Sequence, residues 1–264
     1  MPISCAVDAI TLDDLATVLL PAQVMIAIDE VDIEYSLWER RHAMNADPRH
    51  AALPITSAAN ERILPVVVLG DMVILPRVQP VPLPDVRPGR SYRAIQSALD
   101  SDHEVLVIFV PEQEIANYKS SEPQQLPTVG VIARLADVVP QPDSTLQIVL
   151  DVTTRATITA RLQHEPFYRA TCVPHPDPEV TSSETHALVM AVKAQAEAIA
   201  RALPNLAPEL VEEAITIMQQ IDHPGQLADF ITYSPTFPFV DRIAFLNTLD
   251  PMERLHKVQH KLGA

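Results

Sequence analysis

Glycine is nearly absent from this chain: 264 residues contain five, at positions 70, 89, 130, 225 and 263, against 25 prolines. Average usage would give about 18 glycines and about 13 prolines. A phosphate-cradling loop needs glycines a few residues apart, so that the backbone can wrap an anion. Here the nearest two, Gly70 and Gly89, are 19 residues apart and no GxxxxGK[ST] pattern occurs. Turns must rely on proline, aspartate and asparagine instead. Proline at this density favours edge strands, extended connectors and helix starts.

Positive charge is also short, with 19 Lys and Arg against 34 Asp and Glu, a net −15. A phosphate backbone is bound through cations, so this balance disfavours nucleic acid and anionic membranes as partners. Only two cysteines occur, Cys5 and Cys172, with no CxxC spacing, and they read as reduced thiols of a cytoplasmic protein. Long apolar runs are missing: Ala16–Ile28 is broken by Pro21 and Gln23 and is too short to span a bilayer. The first fifteen residues hold Asp8, Asp13 and Asp14 and no cation, which is wrong for a signal peptide. The expectation is a soluble, cytoplasmic chain long enough for one large or two small domains.

What is present begins with Ile63–Pro76, two short apolar runs closed by prolines around Gly70-Asp71, which read as strands meeting at a turn. Ser91–Phe109 reads as an amphipathic helix running into a buried strand, and Leu126–Ile158 as two or three strands around a Pro-Asp turn. Between them, Pro111–Gln125 is expected to be a long polar connection. After Cys172, the segment VPHPDPEV makes a proline-punctuated hinge. From Thr181 the period becomes 3.6. Thr181 with Glu184 forms a capping box, and Leu188, Val192, Ile199 and Leu203 line one face. A second helix starts at Pro208, with Leu210, Ala214, Ile217 and Ile221 inward. Two short helices, Leu227–Tyr233 and Val240–Leu249, lead to a last one capped by Asp250, with Leu255, Val258 and Leu262 inward.

Ahead of this unit, Val24, Ile28, Val31, Tyr35 and Trp38 recur at helical spacing, although Val31, Ile33, Tyr35 and Leu37 also fit strand alternation. Such a stripe packs either on its own domain or on a second molecule. Deleting residues 1–61 is expected to spare the fold of the rest and to change self-association or solubility.

Several words in a fixed order carry a resemblance. Leu64–Pro76 has the apolar positions, the acid (Asp71) and the closing proline of an opening pattern like LPLLPLRDVVLFP. Gly89-Arg90-Ser91 with Ala94, Val129-Gly130-Val131, Val149–Ile158 with Arg155, DHPGQLAD (Asp222–Asp229) and Glu253-Arg254-Leu255 follow in turn. Together they resemble the N-terminal domain of the Lon family of ATP-dependent proteases, over roughly Ile63 to Leu262. Val152 departs from the pattern, standing where the family usually has glycine.

The resemblance implies an α+β fold: a PUA-like small β-barrel followed by a C-terminal helical subdomain, with an N-terminal extension. The expected divisions are 1–61, 62–178 and 179–264. It implies a non-catalytic domain that recognises unfolded or damaged polypeptides and supports assembly with the ATPase and protease modules of Lon, with no cofactor. The family's serine–lysine dyad lies in a separate domain. One alternative is a stand-alone adaptor or regulatory protein, expected if the gene encodes nothing beyond Ala264. Another is RNA binding through the barrel, against which the charge argues.

Candidate substrate-binding residues are Ile74, Leu75, Pro76 and Val78 on the proline-tipped loop, with Phe109 and Tyr118. Exposed apolar surface catches unfolded chains without sequence specificity, but core packing is the favoured fate of each of these residues taken singly. His256 and His260 stand at i and i+4, a spacing that suits zinc. No third ligand accompanies them, and they read as histidines in the last turns of a helix, where its dipole favours them. Glu212-Glu213 and Asp13-Asp14 read as solvated helix faces.

Overall fold

The structure, a computed structural model, describes residues 61–76, 80–120, 123–202, 207–234 and 237–263. The N-terminal stripe, the self-association expected of it, Cys5, Val78 and Leu203 lie outside the described residues. The chain runs β1 (Arg62–Gly70), β2 (Val81–Val86), α1 (Arg90–Leu99), β3 (Glu104–Val110), α2 (Glu112–Lys119), β4 (Val129–Pro140), β5 (Leu146–Gln163) and β6 (Arg169–His175). The helices α3 (Ser183–Ala202), α4 (Pro208–Gln219), α5 (Pro224–Thr232), α6 (Phe239–Leu246) and α7 (Pro251–Leu262) follow.

This is the expected α+β order, barrel first and helices second. β1 pairs in parallel with β3 and antiparallel with β6, while β3–β4, β4–β5 and β5–β6 are antiparallel. The ring β1–β3–β4–β5–β6 therefore closes on itself, which removes its free edges. β2 hangs outside the ring on β5, with Val81 opposite Leu150 and Leu83 opposite Ile148. Its Pro82 and Pro84 suit an edge strand.

The β3 sequence, EVLVIFV, explains how the layers are joined. Val105, Val107 and Phe109 enter one core, together with Ala94, Ile95 and Ala98 of α1 and Leu246 of α6. Leu106, Ile108 and Val110 enter another, to which all five ring strands contribute, down to Ala156, Ala170 and Cys172. A strand buried on both faces shows a continuous apolar run, not an alternating one. At Gly130 the backbones of β4 and β3 come so close that a Cβ would stand 2.6 Å from the Val107 carbonyl oxygen. The glycine of that sequence word is there for lack of room.

Five expectations need correction. The run after Gly70 is no strand: Asp71 takes φ 47° and accepts from the amide of Glu112 at 2.9 Å, and the chain turns away from β1. Met72–Pro76 then runs outside the sheet with Val73, Ile74 and Leu75 buried, while the next strand begins only at Val81. Pro111–Gln125 contains the eight-residue helix α2, with Glu112 and Glu114 in its first turn and Lys119 in its last, an arrangement that the helix dipole favours.

Ser182, not Thr181, caps α3, its Oγ accepting from the Thr185 amide at 3.0 Å. The buried face of α3 is accordingly Thr185, Val189, Val192, Lys193 and Ala200, displaced from the predicted stripe. In α4 Val211, Ala214, Ile215 and Met218 are buried, whereas Leu210 and Ile217 are half-buried. Pro208 does open α4, and Asp250 does cap α7 by accepting from the Glu253 amide at 2.7 Å.

Candidate functional site: the seam between barrel and helices

Beside the apolar packing of Tyr233, Phe239 and Ile243 on the barrel core, two neighbouring contacts of opposite character join the helices to the barrel. One is charged. Arg155 of β5 is 1 % exposed, and its two terminal nitrogens donate to both carboxylate oxygens of Asp229 on α5, at 2.8 and 2.6 Å. Its Nε donates to the Leu246 carbonyl at 3.1 Å. Asp229 also lies 3.2 Å from Nε of Arg254 on α7, without the alignment of a hydrogen bond. Arg254 in turn donates to the Thr248 carbonyl at 2.9 Å and to Oδ2 of Asp177 at 2.5 Å.

Two cations thus meet two carboxylates, a neutral knot in which each charge has a partner. That is the condition under which buried ions are tolerated. A planar guanidinium gripping a carboxylate with two parallel bonds also fixes direction, so Arg155 sets the orientation of α5 on the barrel. Gly225, in the first turn of α5, is what lets the knot close. A Cβ there would stand 2.3 Å from Asp177 Oδ2 and 2.5 Å from Arg254 Nη2. Three words of the family pattern, Arg155, DHPGQLAD and Glu253-Arg254-Leu255, therefore converge in space. Nearby, the Tyr233 hydroxyl accepts from the Leu75 amide at 3.3 Å, and burial pushes its pKa up, with the Asp229 charge adding to the rise.

The other contact is an open apolar cleft of about 360 Å³, walled on the barrel side by Phe109, Pro127, Thr128 and Val129 and on the α6 side by Ile243, Leu246 and Asn247. No charged side chain lines it. Thr128 and Asn247 are exposed and place the only polar side chains on its walls, so an apolar group can enter while an amide beside it still finds hydrogen-bonding partners. Leu246 belongs to both contacts, its carbonyl to the knot and its side chain to the cleft.

The residues singled out from sequence are not gathered at one surface. Ile74 and Leu75 are each 1 % exposed in the core shared with α1, and Pro76 is buried. They face inward because the Tyr233 hydroxyl and the helices cover that loop. Phe109 is 3 % exposed and reaches the cleft wall. Tyr118 lies in the other core, edge-on to Tyr168 with centroids 6.0 Å apart, and donates to the Gln125 carbonyl at 2.8 Å. Burial first, and the neighbouring Glu114 charge second, raise its pKa. Packing, not presentation, is thus the observed state of the Ile74–Pro76 loop and of Tyr118.

Pro127, Thr128, Ile243 and Asn247 were not singled out. Their one signal is that they flank strands and helices that sequence words had already marked. His256 and His260 are both exposed on α7, and among the described residues no group of three His, Cys, Asp or Glu is placed to hold a metal ion. Nor is any helix among them long and apolar enough to cross a membrane.

Comparison with known proteins bears on the same residues. The profile of the ATP-dependent protease La (LON) substrate-binding domain matches residues 63–263. The chain is 46 % identical over 200 residues to the Lon protease of Chloroflexus aggregans and 28 % identical over 205 residues to that of Geobacter metallireducens. Each match covers 76 % of this chain and 24 % of the relative. The chain therefore spans about a quarter of the length of these curated relatives. Among solved structures, the N-terminal domain of a Mycobacterium avium complex Lon protease superposes with a TM-score of 0.59 at 22 % identity. That match covers 76 % of this chain and 98 % of that one, a likeness of fold.

Proposed function

Since the chain belongs to the family of Lon substrate-binding domains, we propose that it is a non-catalytic polypeptide-binding unit, which takes up unfolded or damaged proteins and supports assembly with the ATPase and protease modules of a Lon protease. Residues 62–178 and 179–264 act as its two lobes. The observation that carries this reading is the uncharged cleft between barrel and α6, inside the segment that matches the family profile. A cleft of this size accepts an apolar side chain of an extended segment and rejects a charged one, which would lose its hydration without finding a partner. Of the residues named from sequence, Phe109 meets the bound segment. Ile74, Leu75 and Pro76 act from below, by holding the wall on which it rests.

The test is a titration followed by amide NMR, with a reduced, carboxymethylated protein as ligand and its folded, disulfide-bonded form as control. Shifts at Thr128, Val129, Ile243 and Asn247 with the unfolded ligand alone are expected. Equal binding of the two forms, or shifts confined to α3 and α4, would overturn the reading.

A further inference from the structure

A second cleft, of about 430 Å³, lies along β5 toward the β5–β6 hairpin; it adjoins the first at Leu126 and Pro127 but shares no lining residue with it. Pro123, Leu126, Ile158 and Ala160 give it its apolar part, and Gln125, Thr159 and Arg161 its polar part. Next to it Leu162 is 54 % exposed, one of the few large apolar side chains of the described residues left so open. Arg169 begins the returning strand, and Arg93 reaches the hairpin from α1, donating to the Pro166 carbonyl at 3.4 Å. Arg161 likewise donates to a carbonyl, that of Gln124. Arg90 is neutralised by Glu165. Arg93, Arg161 and Arg169 meet no carboxylate among the described residues, although acids outnumber cations in the chain by 34 to 19.

A cleft with Arg161 in its wall, beside a hairpin that carries Arg169 and is touched by Arg93, fits a segment that mixes apolar and acidic side chains, since none of the three meets a carboxylate among the described residues. The chain carries one. Residues 24–39 hold Val24, Ile28, Val31, Tyr35 and Trp38 among Asp29, Glu30, Asp32, Glu34 and Glu39, and no Lys or Arg occurs before Arg40. The covalent link arrives beside the patch, because Arg62 pairs with Cys172 and Pro65 with Arg169 across β1 and β6. Residues 40–61 reach at most roughly 70 Å when extended, ample for the distance. A tether of this kind supplies an effective concentration on the order of millimolar, so that weak contacts suffice.

We propose that residues 24–39 dock in cis on the β5–β6 hairpin, placing apolar side chains in its cleft and over Leu162 and their acids against Arg93, Arg161 and Arg169. Its cleft shares no lining residue with the cleft of the proposed function, and the experiment below reads this contact alone.

Trp38 is the only tryptophan of the chain, so its fluorescence reports the contact in the full-length protein. Expected is a blue-shifted emission shielded from acrylamide, at the same level when the protein is diluted a hundredfold. In the variant carrying Arg161→Glu and Arg169→Glu, quenching should rise roughly twofold or more, since loss of several exposed ion pairs shifts a weak equilibrium several-fold. Leu162→Ser should act in the same direction. Adding Asp32→Arg and Glu34→Arg to the double variant should restore the shielding. Equal quenching in wild type and all variants would overturn the proposal. So would shielding that disappears on dilution, which would place the segment on a second copy.

Discussion

The two contacts that join helices to barrel differ as a clasp differs from a mouth. In one, Arg155, Asp229, Arg254 and Asp177 fill the space with matched charge, and Gly225 has no room for a methyl group. In the other, Phe109, Thr128, Ile243 and Asn247 line space that the described residues leave open. Apolar surfaces alone would have closed over both, because burial rewards every square ångström alike and specifies no direction. A bidentate ion pair is directional. The clasp fixes α6 through the Leu246 carbonyl, while Leu246, Ile243 and Phe239 pack on the barrel core beside the cleft. The charged contact thus gives geometry, and the uncharged one uses it.

The largest effect is expected from breaking the clasp. Asp229→Ala leaves two buried guanidiniums facing one remaining carboxylate, and removal of one partner from a buried pair costs about 3–5 kcal/mol. Urea unfolding should show that loss. Arg155→Met, which removes the charge on β5, should cost less when combined with Asp229→Leu on α5 than the single variants predict by addition. Additive losses would mean that the pair is not the unit described here.

Next in size is Gly225→Ala. The added methyl would meet Asp177, Arg254 and the Pro251 Cβ at 2.9 Å or less. Overpacking of this kind costs about 1–3 kcal/mol. Gly263→Ala, where the nearest atom would be 3.3 Å away on the flexible end of Gln195, is the control and should change little.

Alkaline pH separates the barrel from the seam. Burial raises the Cys172 thiol to about 11 from an ordinary 9.0, and raises Tyr233 further still. Both groups hold their protons in the folded chain at pH values where the unfolded chain has released them. Their contribution is therefore complete below about pH 9 and falls as pH rises, for Cys172 between about 9 and about 11 and for Tyr233 from about 10 upward. The loss from Cys172 is on the order of 2 kcal/mol. Cys172→Ala should flatten the lower part of the pH–stability curve and Tyr233→Phe the upper part. A curve unchanged by either substitution would show that neither proton is linked to folding.

How much of this could be read beforehand follows from the range of each interaction. Local chemistry was legible: Asp250 before Pro251, Pro208 at a helix start and the apolar run of β3 each act within a few residues. Arg155 and Asp229 are 74 residues apart. Their words stood out through a resemblance, but nothing local says that they touch. α2 reads as a polar connection in the sequence because only Ile115 and Tyr118 of its eight residues pack inward, too few to show a period. The face of α3 escapes the apolar pattern because Lys193 is buried where a cation is not expected, its ammonium held by the Gln219 carbonyl at 3.0 Å at the end of α4. The Met72–Leu75 run looked like a strand because burial and pairing leave the same apolar pattern. Only the positions of Asp71 and Tyr233 decide between them.

The smallest change in stability, and the clearest separation of the two contacts, is expected at the mouth. Thr128 and Asn247 are exposed, so Thr128→Asp and Asn247→Asp should shift folding stability by no more than about 0.5 kcal/mol. Each nevertheless sets a carboxylate on a wall that has no charge and no cation to pair with it. An apolar segment entering the cleft would have to strip water from that carboxylate, which opposes binding without touching the clasp. Affinity for a carboxymethylated, unfolded protein should therefore fall roughly tenfold, the equivalent of about 1.4 kcal/mol, with the urea midpoint unmoved. Asp229→Ala should do both, loosening the fold and weakening the binding, because the mouth keeps its width only while the clasp holds. Should the two aspartates leave affinity unchanged while Asp229→Ala abolishes it, the binding surface would lie elsewhere on the helices, and the cleft would be a consequence of the clasp with no part in recognition.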